Sequence, residues 1–150
     1  MASLGETAAK VATKVRAKVQ RSSHDKYPWL YPRGCENEIA PVIDMWLKDR
    51  VAAEYVLQKT GKRFKENPRE NVAESYAVVW TDKGGTLPKP FPGKYLIILG
   101  LEYVDTNNGL PFLKEKNALD HGEYILLSGD DDMVFGSQGG GISLFIVLDM

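Results

Sequence analysis

The sequence predicts an α+β fold: a mostly antiparallel sheet of about five strands, covered by one long helix and preceded by an N-terminal basic helical arm. Three observations lead there. Residues 40–60 repeat apolar side chains at helical spacing over more positions than an ordinary strand has. Residues 75–148 break into short apolar runs separated by Gly, Pro, Asn and Asp, the punctuation of strands joined by short turns. Residues 6–20 place valine at every fourth position among lysines, which makes a helix with a thin apolar stripe.

A chain of 150 residues suits one domain, and with 43% hydrophobic residues it can build a core without staples. The expected division is residues 1–24 as basic arm and linker and residues 25–150 as a single α+β domain. Cys35 is the only cysteine, so no internal disulfide can form. No apolar run approaches the ~18 residues of a membrane-spanning helix. The N-terminus lacks the apolar stretch of a secretory signal, although the acid-free residues 8–23 share features with cleavable transit segments. Charge is segregated along the chain. The net charge of −1 is made of +5 in residues 1–34, +1 in residues 35–97 and −7 in residues 98–150. A basic head and an acidic tail attract one another, within one molecule or between neighbours.

In the arm, Val11, Val15 and Val19 with Ala8 and Ala12 form the stripe, while Lys10, Lys14, Arg16 and Lys18 cover the remaining surface. Burying only Val and Ala, such a helix is marginal alone and orders against a partner surface. Residues 22–25 read as a linker. Pro28 and Pro32 hold residues 27–33 extended, so Tyr27, Trp29 and Tyr31 share one face. Those rings either close one end of the core or dock on a partner, since aromatics concentrate in binding hot spots. In the long helix Pro41 suits the first turn and Gly61 the stop. Ile43, Leu47, Val51 and Tyr55 form its stripe, joined by Trp46 and Val42. Residues 62–71 read as a charged surface loop.

Strands are expected at 75–81, at 94–104 as a central strand with a bulge at Gly100, and at 123–127, 133–135 and 142–148. The prolines at 88, 90 and 92 make residues 87–93 an extended connection unable to donate to a ladder. Asn108-Gly109 is a hairpin signal that should return the chain through residues 110–113.

Chemistry is sparse. His121 and Glu123 would share a strand face, and with Asp130, Asp131 and Asp132 they form the one set that could hold a divalent metal for a small metal-dependent enzyme. Their spacing follows no compact metal motif, and an acidic turn between strands accounts for the aspartates. Residues 139–141 are all glycine, but they lead into a strand under acidic charge rather than into a helix N-terminus, which disfavours phosphate. Nucleophilic catalysis has only Cys35, His24 and His121 to draw on, and carboxylate chemistry only unplaced candidates such as Glu102 and Asp105. The sequence therefore points away from an enzyme, and no cofactor is expected.

The ending FGSQGGGISLFIVLD, residues 135–149, resembles the closing glycine-then-strand pattern of the SUKH superfamily, whose members include toxin-neutralising immunity proteins. It covers about a tenth of the chain, and Tyr76 with Gly84-Gly85 is a loose counterpart of the family's earlier Tyr and Asn-Gly-Gly turn, without its Asn. The resemblance implies a soluble inhibitor-type binder that covers a basic partner with its acidic C-terminal half.

The function these features favour is a non-catalytic protein-interaction subunit or accessory component of a larger assembly, such as a virus- or phage-type structural protein. The expected partner-binding residues are Lys10, Lys14, Arg16, Lys18, Arg21, Tyr27, Trp29 and Tyr31 at one end and Asp130, Asp131 and Asp132 at the other. Expected partners are another protein or further copies of this chain, with nucleic acid a candidate for the basic arm and no membrane partner. The expected location is the cytoplasm or a large intracellular or viral assembly.

Overall fold

The computed structural model describes residues 3–18, 28–32 and 34–150. In chain order it contains helix α1 (Leu4–Ala17), strand β1 (Trp29–Leu30), and helices α2 (Glu36–Lys48) and α3 (Arg50–Thr60). Eight strands follow: β2 (Val72–Trp80), β3 (Gly85–Leu87), β4 (Tyr95–Gly100), β5 (Val104–Asp105), β6 (Ala118–Leu119), β7 (Tyr124–Ser128), β8 (Met133–Phe135) and β9 (Ile142–Leu148). A five-stranded sheet has the order β1-β2-β9-β4-β7, antiparallel at every pairing, while β3–β8 and β5–β6 make two short ribbons. No described helix is long and apolar enough to cross a membrane.

The middle strand explains the layering. All seven residues of β9 are buried, because β2 and β4 flank it and both of its faces are covered. Side chains alternate across a strand. Ile142, Leu144, Ile146 and Leu148 therefore join a core with α1, α2 and α3, while Phe145 and Val147 join a second core under the ribbons and loops. Ser143, on the second side, satisfies its buried hydroxyl by accepting from Trp80 Nε1 at 2.9 Å.

No single long helix covers the sheet. The expected 40–60 helix is two helices broken at Asp49, whose backbone is extended (φ −80°, ψ 119°) and whose carboxylate accepts from Val51 N at 2.9 Å. An Asp cap restarts the ladder with a new phase. The stripe accordingly changes: α2 buries Ile39, Val42, Ile43 and Trp46, α3 buries Ala52 and Val56, and Val51 is 71% exposed. Pro41 lies inside α2, five residues past its start, and not in the first turn.

The expected arm is a third helix on the sheet. Ser3 caps it by accepting from Glu6 N, and Ala8, Val11, Ala12 and Val15 are buried in the same core as Ile39 and Ile43 of α2. Glycine permits the approach: a Cβ on Gly122 (φ 79°) would meet Gly5 N at 2.7 Å, so the first turn of α1 rests on the backbone before β7. Val19, Arg21 and the 22–25 linker lie outside the described residues.

Two strand expectations change as well. The 94–104 strand ends at Gly100, where a Cβ would meet Asp120 O at 2.6 Å, and Val104–Asp105 turn away to pair with β6. The Asn108-Gly109 turn forms, with Asn108 N and Leu110 N both donating to Asp105 O, but residues 110–113 do not return along β4. They run instead beside β8, where Phe112 N donates to Val134 O at 2.9 Å.

The two valines of the predicted stripes separate cleanly in this fold. Val15→Ala should cost about 2 kcal/mol, from lost methyl burial plus a residual cavity. Val51→Ala should stay within about 0.5 kcal/mol of wild type, as exposed positions do. Denaturant unfolding of the two variants checks both values.

Candidate interaction surfaces

The basic residues of α1 divide into two pairs. Lys10 and Lys14 are exposed and form no ion pair among the described residues. Arg16 pairs with Glu102 and also donates to Gly140 O at 2.8 Å, and Lys18 Nζ reaches Glu38 Oε1 and Gly34 O, both at 2.6 Å. Head and tail thus do attract, here within one molecule. The hydrogen bond to Glu38 raises the Lys18 pKa and lowers that of Glu38. Cys35, just before α2, is buried, and desolvation pushes its thiol up, away from the nucleophilic thiolate.

The expected aromatic face divides too. Tyr27 and Arg21 lie outside the described residues. Trp29 is buried, its ring 5.0 Å from Phe145 and 6.0 Å from Trp80, so it closes the second core. Tyr31 is 53% exposed and stands edge-on to Tyr76.

The candidate metal set is not brought together. His121 precedes β7 and pairs with Asp120, whereas Asp130, Asp131 and Asp132 follow it. Five strand residues at about 3.3 Å each hold the two groups roughly 17 Å apart. Glu123 is engaged with Asp120 N and Lys116. Among the described residues no group of three or more His, Cys, Asp or Glu could hold a metal ion. The 139–141 glycines have a packing reason: a Cβ on Gly139 would lie 2.3 Å from the Thr81 carbonyl carbon, and Gly140 and Gly141 exchange backbone hydrogen bonds with Trp80.

The acidic turn does more than join strands. Asp130 accepts from Gly93 N at 3.0 Å and Asp132 from Lys89 N at 3.2 Å, so two carboxylates pin the proline-rich 87–93 connection. Gly129 packs directly beneath it, with no room for a Cβ beside Phe91 O. Asp131 has no side-chain partner among the described residues, and none of the three forms an ion pair there. Together with residues 111–115 this turn bounds a cleft of 390 Å³ on the sheet face opposite the helices. Leu96, Ile125, Leu127 and Met133 line its floor, and Pro90 and Phe112 its walls. Phe112 is 57% exposed.

The outer edge of β7 beside this cleft is closed to strand addition. Leu126 N donates to Tyr55 Oη of α3 at 3.0 Å, Ser128 O accepts from Asp131 N, and the Lys59–Glu115 ion pair ties α3 to the cleft wall. Covering an edge in this way is how sheets avoid non-specific pairing. Sequence reasoning missed the wall at residues 111–115, because an Asn-Gly turn ahead of Leu110 to Leu113 reads as a hairpin. Pro111, unable to donate to a ladder, was the available signal. Compared with protein-family models, curated proteins and solved structures, the chain matches none of them.

The Lys18–Glu38 link predicts a pH response at the end of α1. Because the Glu38 pKa is lowered in the folded chain, its contribution is complete above its ordinary 4.5 and is lost as the pH falls through the depressed value. The raised Lys18 pKa places the alkaline loss above 10.5. Amide-exchange protection of the last α1 turn should therefore fall on acidification below 4.5, and fall less in Glu38→Gln.

Proposed function

We propose that this chain is a non-catalytic protein-interaction subunit of a larger assembly, joined to its neighbours by complementary charged surfaces. The observation that supports this reading is the placement of two exposed lysines and a run of aspartates on opposite sides of one sheet. Lys10 and Lys14 are exposed on α1, and on the opposite face Asp131 and Asp132 rim the cleft with Asp130 beside them. Unlike surfaces on opposite sides of a protomer make a heterologous contact, which propagates head to tail into rings or filaments. A salt-dependent association follows, since exposed charges are screened beyond about 10 Å at 0.1 M salt.

A reaching arm has no part in this reading. Removing α1 would strip Ala8, Val11, Ala12 and Val15 from the core. Truncation would therefore test folding and not assembly. A soluble inhibitor-type binder is the second reading, favoured by the same three aspartates, which would face a basic partner.

Light scattering tests the assembly reading. The wild-type mass should exceed that of a 16.7 kDa monomer at low salt and return to it at high salt, while Lys10→Glu/Lys14→Glu stays monomeric throughout. A wild-type chain that is monomeric at both salt concentrations would remove assembly through these lysines and leave the inhibitor-type reading.

A further inference from the structure

We infer that the cleft between residues 111–115 and 129–133 is a recognition pocket for a linear basic segment of another protein, one that carries an apolar anchor side chain beside its cations. The inference rests on the reading of the chain as an interaction protein and assigns the occupant of its acidic face.

Four features specify that occupant. The volume of 390 Å³ lies in the range of sites that bury a ligand rather than a single water. Leu96, Ile125 and Met133 of the floor are already buried, so the apolar surface left for an anchor to cover is that of the exposed Phe112 ring and the partly exposed Leu113 and Leu127. The 130–132 side of the rim is acidic: Asp131 has no side-chain partner among the described residues, and the carboxylates of Asp130 and Asp132 meet backbone N–H groups of the 87–93 connection. On the facing rim Glu115 is already neutralised by Lys59, and Lys114 adds a positive charge of its own. The electrostatic demand is therefore for positive charge on the 130–132 side, next to an apolar pocket.

Geometry excludes one other mode and leaves another incomplete. Strand addition along β7 is blocked, because Tyr55 Oη takes the Leu126 N–H and the turn takes the Ser128 carbonyl. Recognition is then through side chains. A second copy docking by α1 would bring Lys10 and Lys14 but no large apolar side chain, since the exposed residues of that helix are Glu6, Lys10, Thr13, Lys14, Arg16 and Ala17. Such a copy could meet the rim without covering the apolar surface between the walls. The cleft needs little rearrangement to bind: Pro90 and Pro111 restrict its walls, and Asp130 and Asp132 pin one of them.

Fluorescence anisotropy on the full chain tests this, using three short labelled peptides. One places a leucine among lysines and arginines, one replaces that leucine by serine, and one replaces the cations by glutamates. The first should bind, and each change should weaken binding by about tenfold or more. On the protein side, Asp131→Lys and Phe112→Ser should each reduce binding of the first peptide. Both residues are exposed, so both variants should unfold like wild type. At a salt concentration where the wild type is monomeric, Lys10→Glu/Lys14→Glu should bind the peptide as the wild type does, which separates failure of this inference from failure of the assembly reading. Equal binding of the leucine and serine peptides, or indifference to Asp131→Lys, would overturn the pocket. Binding of a small apolar amine as tight as that of the peptide would overturn the peptide as its occupant.

Discussion

Complete burial of β9 is the constraint on which the remaining structure depends. Pairing on both edges satisfies the backbone of β9, and cover over both sheet faces takes its side chains out of water. Ile142, Leu144, Ile146 and Leu148 require a cover on one face, and Phe145 and Val147 require one on the other. Three helices supply the first. The second is assembled from pieces with little regular structure of their own: two ribbons, the proline-rich connection, and Trp29 from the strand before α2. Within this zone Trp80 Nε1 donates to the buried Ser143 hydroxyl.

The irregular cover has a functional consequence. A helix laid over a sheet seals it, whereas loops joined by caps leave openings where two of them diverge. Beyond Leu87, which pairs with Met133, prolines interrupt the 87–93 connection, and Asp130 and Asp132 hold it from the side. The 111–115 segment is held at one end by Phe112 N on Val134 O and at the other by Lys59 on Glu115. Between these two restrained walls lies the cleft. Its floor is the sheet core itself, and its acidic rim is a by-product of the carboxylates that fasten the wall, with Asp131 left over to face outward.

Charge segregation along the chain is put to two uses. Arg16 and Lys18 spend theirs internally, fastening α1 to Glu102, Gly140, Gly34 and Glu38. Exposed pairs of this kind are screened by solvent and contribute little to stability. The burial of Val11 and Val15 does more to hold the helix, and the ion pairs set where its end lies. Lys10 and Lys14 are left exposed, without an ion pair among the described residues.

Local pattern by itself determined the elements whose cause is local. The strand at 142–148, the turn at Asn108-Gly109 and the stop at Gly61 follow from side-chain alternation or from φ freedom, and none needs a partner to be recognised. The thin valine stripe of residues 6–20 likewise identified a helix. The 87–93 connection departs from its expected extended form: Leu87 pairs with Met133 in the β3–β8 ribbon and the chain turns before β4. Tertiary structure alone decided what these elements rest against. Whether Val11 and Val15 face a neighbour or their own core depends on Gly5 and Gly122 letting two backbones touch, over a hundred residues apart. The break at Asp49 was hidden because an Asp between two helical stretches reads equally as a surface residue and as a cap. The cleft was illegible for the same kind of reason: its wall, floor and rim come from residues 90, 96, 111–115, 125–128 and 131–133, and only the pairing of β4 with β7 brings them to one place.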